Sequence, residues 1–127
     1  GLVSITAEPL MPSLGLATTV GAIGGIIIVF SVPLLDKLKI DDVVGAISVH
    51  GIAGIWGTLA VILSKPDASF GTQLLGTVSI CLFTFIVSYI GWLLIDMLMG
   101  ARVSEESEIE GLDKTELGIE AYPDFSK

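Results

Sequence analysis

Residues 43–63, VVGAISVHGIAGIWGTLAVIL, carry no formal charge. At 1.5 Å per residue such a run is long enough to cross the roughly 30 Å hydrocarbon core of a bilayer. Two further runs flank it. Residues 14–35 hold no charge, and residues 74–99 hold none until Asp96. A chain that is 52% hydrophobic is also too apolar for a soluble domain whose size allows one modest core. The expected fold is therefore all-α: a polytopic membrane helix bundle with spans over 14–35, 43–63 and 74–99.

The single histidine, His50, sits inside the second span. Counting about 100° per residue, Ala46, Ala53, Gly54, Gly57 and Val61 fall on its side, Ile47 stands at the edge of that face, and Val44, Ile55, Leu59 and Ile62 lie farther round. Small faces let another backbone approach closely in a membrane, and ionisable groups within a span face a bundle interior or a water-filled path. His50 is thus expected to look inward. Two roles stay open on the residues alone: a neutral hydrogen-bond donor that locks helices together, or a group in a permeation pathway. Haem ligation is a third, but one histidine offers one axial ligand. No cofactor and no metal site is expected.

The remaining segments read in order. Residues 1–13 contain two prolines and Glu8, which reads as a loop or re-entrant segment. Gly21 and Gly25 form a G-x-x-x-G packing surface in the first span, and Pro33 kinks or ends that helix before the polar loop DKLKIDD. Asp41 or Asp42 is placed to cap the His50 helix. Lys65, Pro66 and Gly71 mark the next turn, Cys81 lies in an apolar run with no internal disulfide partner, and Phe83, Phe85, Tyr89 and Trp92 read as packing and interfacial residues. Asp96, unfavourable near a helix C-terminus, calls for a partner among Lys37, Lys39 and Arg102. Those three cations stand against Lys65 alone on the other side, so the positive-inside rule puts the tail in the cytoplasm. Residues 101–127 hold eight of the 14 acidic residues and three of the six basic ones. Such an acidic balance excludes nucleic-acid binding. A start at Gly1, with no charged region and cleavage site, reads as a piece of a longer protein.

The run DDVVGAISVHGIAGIWGTLAV, with LLDKLKI ahead of it and RVSEESEIEGLDKTELGIEAYPDF behind, resembles the carboxy-terminal part of an ammonium transporter of the Amt/Mep/Rh superfamily, on the Amt side. The resemblance implies an eleven-helix transporter fold. Residues 1–100 would supply its last three transmembrane helices and residues 101–127 a cytoplasmic tail. It further implies uptake of ammonium or ammonia through a narrow apolar pore centred on two histidines. His50 matches the second of them, and Ala46 is placed with it at the pore; the first belongs to an earlier helix outside this chain. In the tail, Gly111, Leu112, Asp113, Gly118, Ala121 and Tyr122 match a segment that packs on the neighbouring subunit of a homotrimer. Leu117 departs from the histidine common there, and Glu8 departs from an ITPA pattern. Thr115 matches a regulatory phosphorylation position, although Asp113 and Glu116 would repel a phosphate. The implied partners are membrane lipid, further copies of the chain and a cytosolic PII-type regulatory protein, in a bacterial inner membrane.

The physics of such a pore stands apart from the family. A central charge costs roughly 2.5–3.5 kcal/mol on insertion scales, and neutral ammonia avoids most of that. Separating the proton from the nitrogen needs a titratable group near neutral pKa in the apolar path, which is histidine. A second imidazole can share that proton. The alternative reading is a small helical membrane subunit whose acidic tail binds a cytosolic partner.

Overall fold

Ser13 accepts a hydrogen bond on Oγ from Leu16 N at 3.1 Å, satisfying one of the free amides at a helix start. In the computed structural model, which describes residues 1–7, 13–121 and 123, this cap separates a short helix, α1 (Leu2–Ile5), from a long one, α2 (Leu14–Lys37). The second span follows as three windings in series: a π-helical turn (Ala46–Ile52), helix α3 (Ala53–Ala60) and a 3-10 turn (Val61–Leu63). Then come α4 (Phe70–Met99), α5 (Glu105–Glu110) and α6 (Leu112–Leu117). The described residues contain no strand. Three helices, Leu14–Lys37, Ala46–Leu63 and Phe70–Met99, are long and apolar enough to cross a membrane.

Several boundaries differ from the sequence reading, each for a local reason. Pro33 does not end α2, which runs on through it to Lys37. The second span starts at Ala46 because Gly45 lies in the left-handed region at φ 71°. Val43 and Val44 are consequently exposed turn residues. The third begins earlier, at Phe70; its 30 residues make about 45 Å of helix, more than a bilayer core, so it must tilt or project.

The chain divides into two compact units, Gly1–Leu82 and Phe83–Lys127. The core of the first is made of small side chains. Ser4 is 1% exposed, and its Oγ donates to Ala53 O at 3.2 Å. A Cβ on Gly24 would collide with the Ser4 side chain, and one on Gly57 would lie 2.8 Å from Ser4 Cα. α1 is thus seated between α2 and α3, where only glycine leaves room. Trp56 Nε1 donates to Val20 O at 3.0 Å, tying the two long elements together. Of the expected Gly21–Gly25 surface, Gly21 does pack on the start of the chain, where an added Cβ would meet Gly1 O at 3.5 Å and Ile5 Cγ2 at 3.7 Å, and only the Gly25 half is corrected. Gly24 makes the close approach, whereas a Cβ on Gly25 would meet nothing within 4 Å.

In the second unit, α4 ends at Gly100, which adopts the left-handed region at φ 72° and donates its amide to Asp96 O at 3.0 Å. Such glycine caps satisfy the last carbonyls of a helix. The Asp96 carboxylate accepts from Ala101 N at 2.9 Å, so a backbone amide is a partner where a cation was expected. Arg102 lies fork-on-fork against Glu108, with Nε and Nη2 donating at 3.0 and 3.1 Å. Phe85 and Tyr89 stack, 6.1 Å between ring centres. Beyond Gly100 the described part of the acidic tail forms two short helices, α5 and α6. Ser104 caps α5, and Glu105, Glu106 and Glu108 stand in the first turn, where they complement the helix dipole.

Candidate functional site: the His50 cleft and the tail turn

The carbonyl of Gly45 accepts from Val49 N at 2.9 Å and from His50 N at 3.3 Å. That shared acceptor opens the winding from the α pattern to the wider π pattern at the residue that carries the imidazole. Such turns are rare and frequently mark functional sites. The N-cap residue is Gly45, not Asp41 or Asp42 as expected, but the Asp42 carboxylate still satisfies free amides at this helix start. Its Oδ1 accepts from Ile47 N at 2.8 Å, and its Oδ2 accepts from Ser48 N at 2.8 Å and Ser48 Oγ at 2.7 Å. The Ile47 amide, then the Ser48 hydroxyl and amide, hold this carboxyl below its ordinary pKa against an opposing desolvation.

His50 opens onto a cleft of about 510 Å³ within the first unit, lined by Val3, Thr6 and Ala7, by His50, Gly51, Gly54, Ile55 and Thr58, and by Gln73, Gly76, Thr77, Ile80 and Cys81. The imidazole is exposed to that space, not buried against a neighbouring helix of this chain. The small face counted around it divides in two. Gly54 joins His50 at the cleft, while Ala53, Gly57 and Val61 are buried. Ala46 is exposed and is not part of the cleft wall. The π winding explains the difference, since a count at 100° per residue fails across a turn that is wound more loosely.

Thr6, Thr58 and Thr77 donate their hydroxyls to Val3 O, Gly54 O and Gln73 O, at 2.7, 3.0 and 2.8 Å. With those protons spent on backbone, the threonine oxygens are left as acceptors. The wall is therefore largely apolar carbon and glycine backbone, relieved by the threonine acceptors, the Gln73 amide, the Cys81 thiol and one imidazole ring. It suits a small species that brings N–H donors.

The C-terminal residues singled out in the sequence also meet, in a turn of their own. Gly111 stands at φ 101° between α5 and α6, and Gly118 ends α6 at φ 65°. Ile119 N donates to Asp113 O at 3.1 Å, and Ala121 N donates to Asp113 Oδ2 at 2.8 Å. Lys114 pairs with Glu120 at 3.1 Å. Asp113, Gly118 and Ala121 thus brace one another, Thr115 Oγ1 donates to Gly111 O at 3.2 Å, and Leu112, Leu117 and Ile119 remain exposed. Tyr122 and Glu8 lie outside the described residues.

The Ala121 amide holds the Asp113 carboxyl below its ordinary pKa, with desolvation opposing. A depressed folded pKa contributes stability that is whole above the unfolded value and is lost as pH falls through the folded one. In detergent-solubilised protein the NMR shift of the Ala121 amide is therefore expected to follow an acid titration with a midpoint below that of an unstructured aspartate. An Ala121 signal indifferent to pH, or a midpoint at the ordinary value, would remove this bond from the account.

The sequence profile of the Ammonium Transporter Family matches residues 1–122. The chain belongs to this family. It is 39% identical over 131 residues to ammonium transporter Amt1 of Haloferax mediterranei, an alignment that covers 98% of this chain and 25% of that protein. Against ammonium transporter Amt2 of Archaeoglobus fulgidus it is 32% identical, covering 98% of this chain and 31% of the relative. Against the ammonium transporter of Bacillus subtilis the identity is 32%, over 98% and 35%. The chain thus spans roughly a quarter to a third of the length of these curated relatives. No solved structure matches it. The family is one of transporters, not enzymes, and with three helices able to span a bilayer this member is an integral membrane protein.

For this ammonium transporter family chain, sequence reading missed Thr6, Gln73 and Thr77 as parts of the cleft, and Ser4 as the peg that seats α1. The available signal was weak: a serine in a proline-bearing segment and two glycines far apart in the chain. Only the tertiary arrangement joins them.

Proposed function

We propose that this chain forms the carboxy-terminal part of an ammonium transporter and lines its pore with His50. The imidazole is one of a pair at the narrow centre, the other coming from an upstream helix. The observation that carries this reading is the placement of the one titratable ring of the cleft on a wall of glycine, apolar carbon and threonine acceptors. Ammonium gives up its proton to the imidazole pair, the nitrogen crosses as neutral ammonia, and the proton is handed on between the rings. Ala46 lies one turn before the ring, near the mouth of this path.

The tail faces the cytoplasm of a bacterial inner membrane. Its braced turn from Gly111 to Ala121 presents Leu112 and its neighbours to the adjacent subunit of a homotrimer. A PII-type regulator would compete for that surface. The full-length protein, reconstituted in vesicles, is expected to take up ammonium faster than protein-free vesicles under an inward gradient. Equal rates at confirmed protein content would end the transport reading and leave the acidic-tailed membrane subunit.

A further inference from the structure

We propose that Asp42 is a positioning residue for His50, acting through the π-helical turn; the proposal rests on the reading of His50 as a pore residue. Asp42 is not part of the cleft wall, and the hydrogen bonds it makes are to the turn that carries His50. Three donors converge on its carboxylate, the Ile47 amide and the Ser48 amide and hydroxyl, all at 2.7–2.8 Å. They lie two and three residues before His50, inside the same turn of Ala46–Ile52. Ser48 is completely buried, and its hydroxyl bond to Asp42 keeps that polar group satisfied. Gly45 completes the device. Its positive φ and the 2.9 Å that would separate a Cβ from Val49 Cγ2 exclude other residues there.

The carboxylate therefore grips the turn near its start, while α3, packed on Ser4, anchors its end. Released at the first grip, Ala46–Ile52 is free to rewind as α-helix at about 100° per residue, which swings the imidazole away from Gly54 and Ile55. Asp42→Asn tests this without a change of size. An amide keeps one acceptor oxygen and turns the other acceptor into a donor, so in either orientation at least one of the Ile47 and Ser48 amides loses its partner.

The experiment measures, in the full-length protein, the rate at which diethyl pyrocarbonate modifies His50, read by mass spectrometry of that peptide, beside ammonium uptake and melting temperature. In Asp42→Asn the modification rate is expected to change severalfold and uptake to fall about tenfold or more, as misplacement of a reacting group does, with melting close to wild type. Ser48→Ala, which removes one of the three bonds, moves both readouts the same way by a smaller factor. Because the two share a bond, the double variant should fall short of the product of the single effects. An unchanged His50 modification rate in Asp42→Asn overturns the proposal, whatever uptake does. Should that variant fail to fold, an unchanged rate in Ser48→Ala overturns it instead. If the wild type itself takes up no ammonium, the pore reading fails, and the modification rates still decide whether Asp42 positions the ring.

Discussion

His50→Asn in the full-length protein is expected to abolish ammonium uptake while the protein still inserts and assembles, and His50→Glu to retain a part of it. This contrast follows from what each side chain can do at the cleft. Asparagine approximates the size and hydrogen bonding of imidazole but cannot titrate, whereas glutamate can still accept and release a proton. If the ring only joined helices through a hydrogen bond, the order would invert. Asparagine would serve nearly as well and a buried glutamate would be the worse tolerated. Alanine is a poorer probe, because it leaves a void beside Gly51 and Gly54 and confounds packing with chemistry. Substrate-induced current and uptake in vesicles, normalised to protein content, decide the matter. Transport by the asparagine variant at the wild-type rate and with the wild-type pH response would eliminate the relay.

Gly57→Leu is expected to be as damaging by a different route. A side chain at Gly57 would run into the backbone of Ser4, whose carbonyl carbon and Cα both lie 2.8 Å from the first atom added. A flexible side chain could step aside, but the backbone of a seated helix cannot. Overpacking of this kind costs about 1–3 kcal/mol, and more when the obstacle is rigid. α1 would be displaced, and with it Val3 and Thr6, which belong to the cleft wall. Loss of folded protein and of uptake is the expected outcome. Gly25→Ala is the control, because a Cβ there meets nothing within 4 Å and alanine favours a helix over glycine by about 1 kcal/mol. A Gly57→Leu protein that melts at the wild-type temperature would show that α1 is not seated as described.

The three long helices were legible because uncharged length is a property of the chain itself, independent of what packs where. The role of Asp42 at its helix start was legible for a similar reason. Its partners lie only five and six residues ahead, so the signal is local. The division of the small face around His50 was not. A count at 100° per residue presumes regular winding, and the departure at Gly45 depends on a positive φ and a carboxylate grip that no periodicity reports. The seat of α1 was hidden more deeply. Gly25 fits the G-x-x-x-G spacing, yet Gly24 receives Ser4, because the choice is made by another segment and not by the helix that carries the glycines. Asp96 shows the same limit, since a charge at a helix end announced the need for a partner without revealing that a backbone amide answers it.

The peg at Ser4 also sets a clock. Its acceptor on Ala53 is 49 residues further along the chain, which at about 5–20 residues per second is synthesised about 2–10 seconds later. Closing a loop takes only about 10–100 ns for ten residues, so synthesis, not diffusion, governs when α1 can dock. Until then the α1 part of the cleft wall lacks this acceptor for its Ser4 hydroxyl, and the wall closes only after α3 and the first turns of α4 have followed it out of the ribosome.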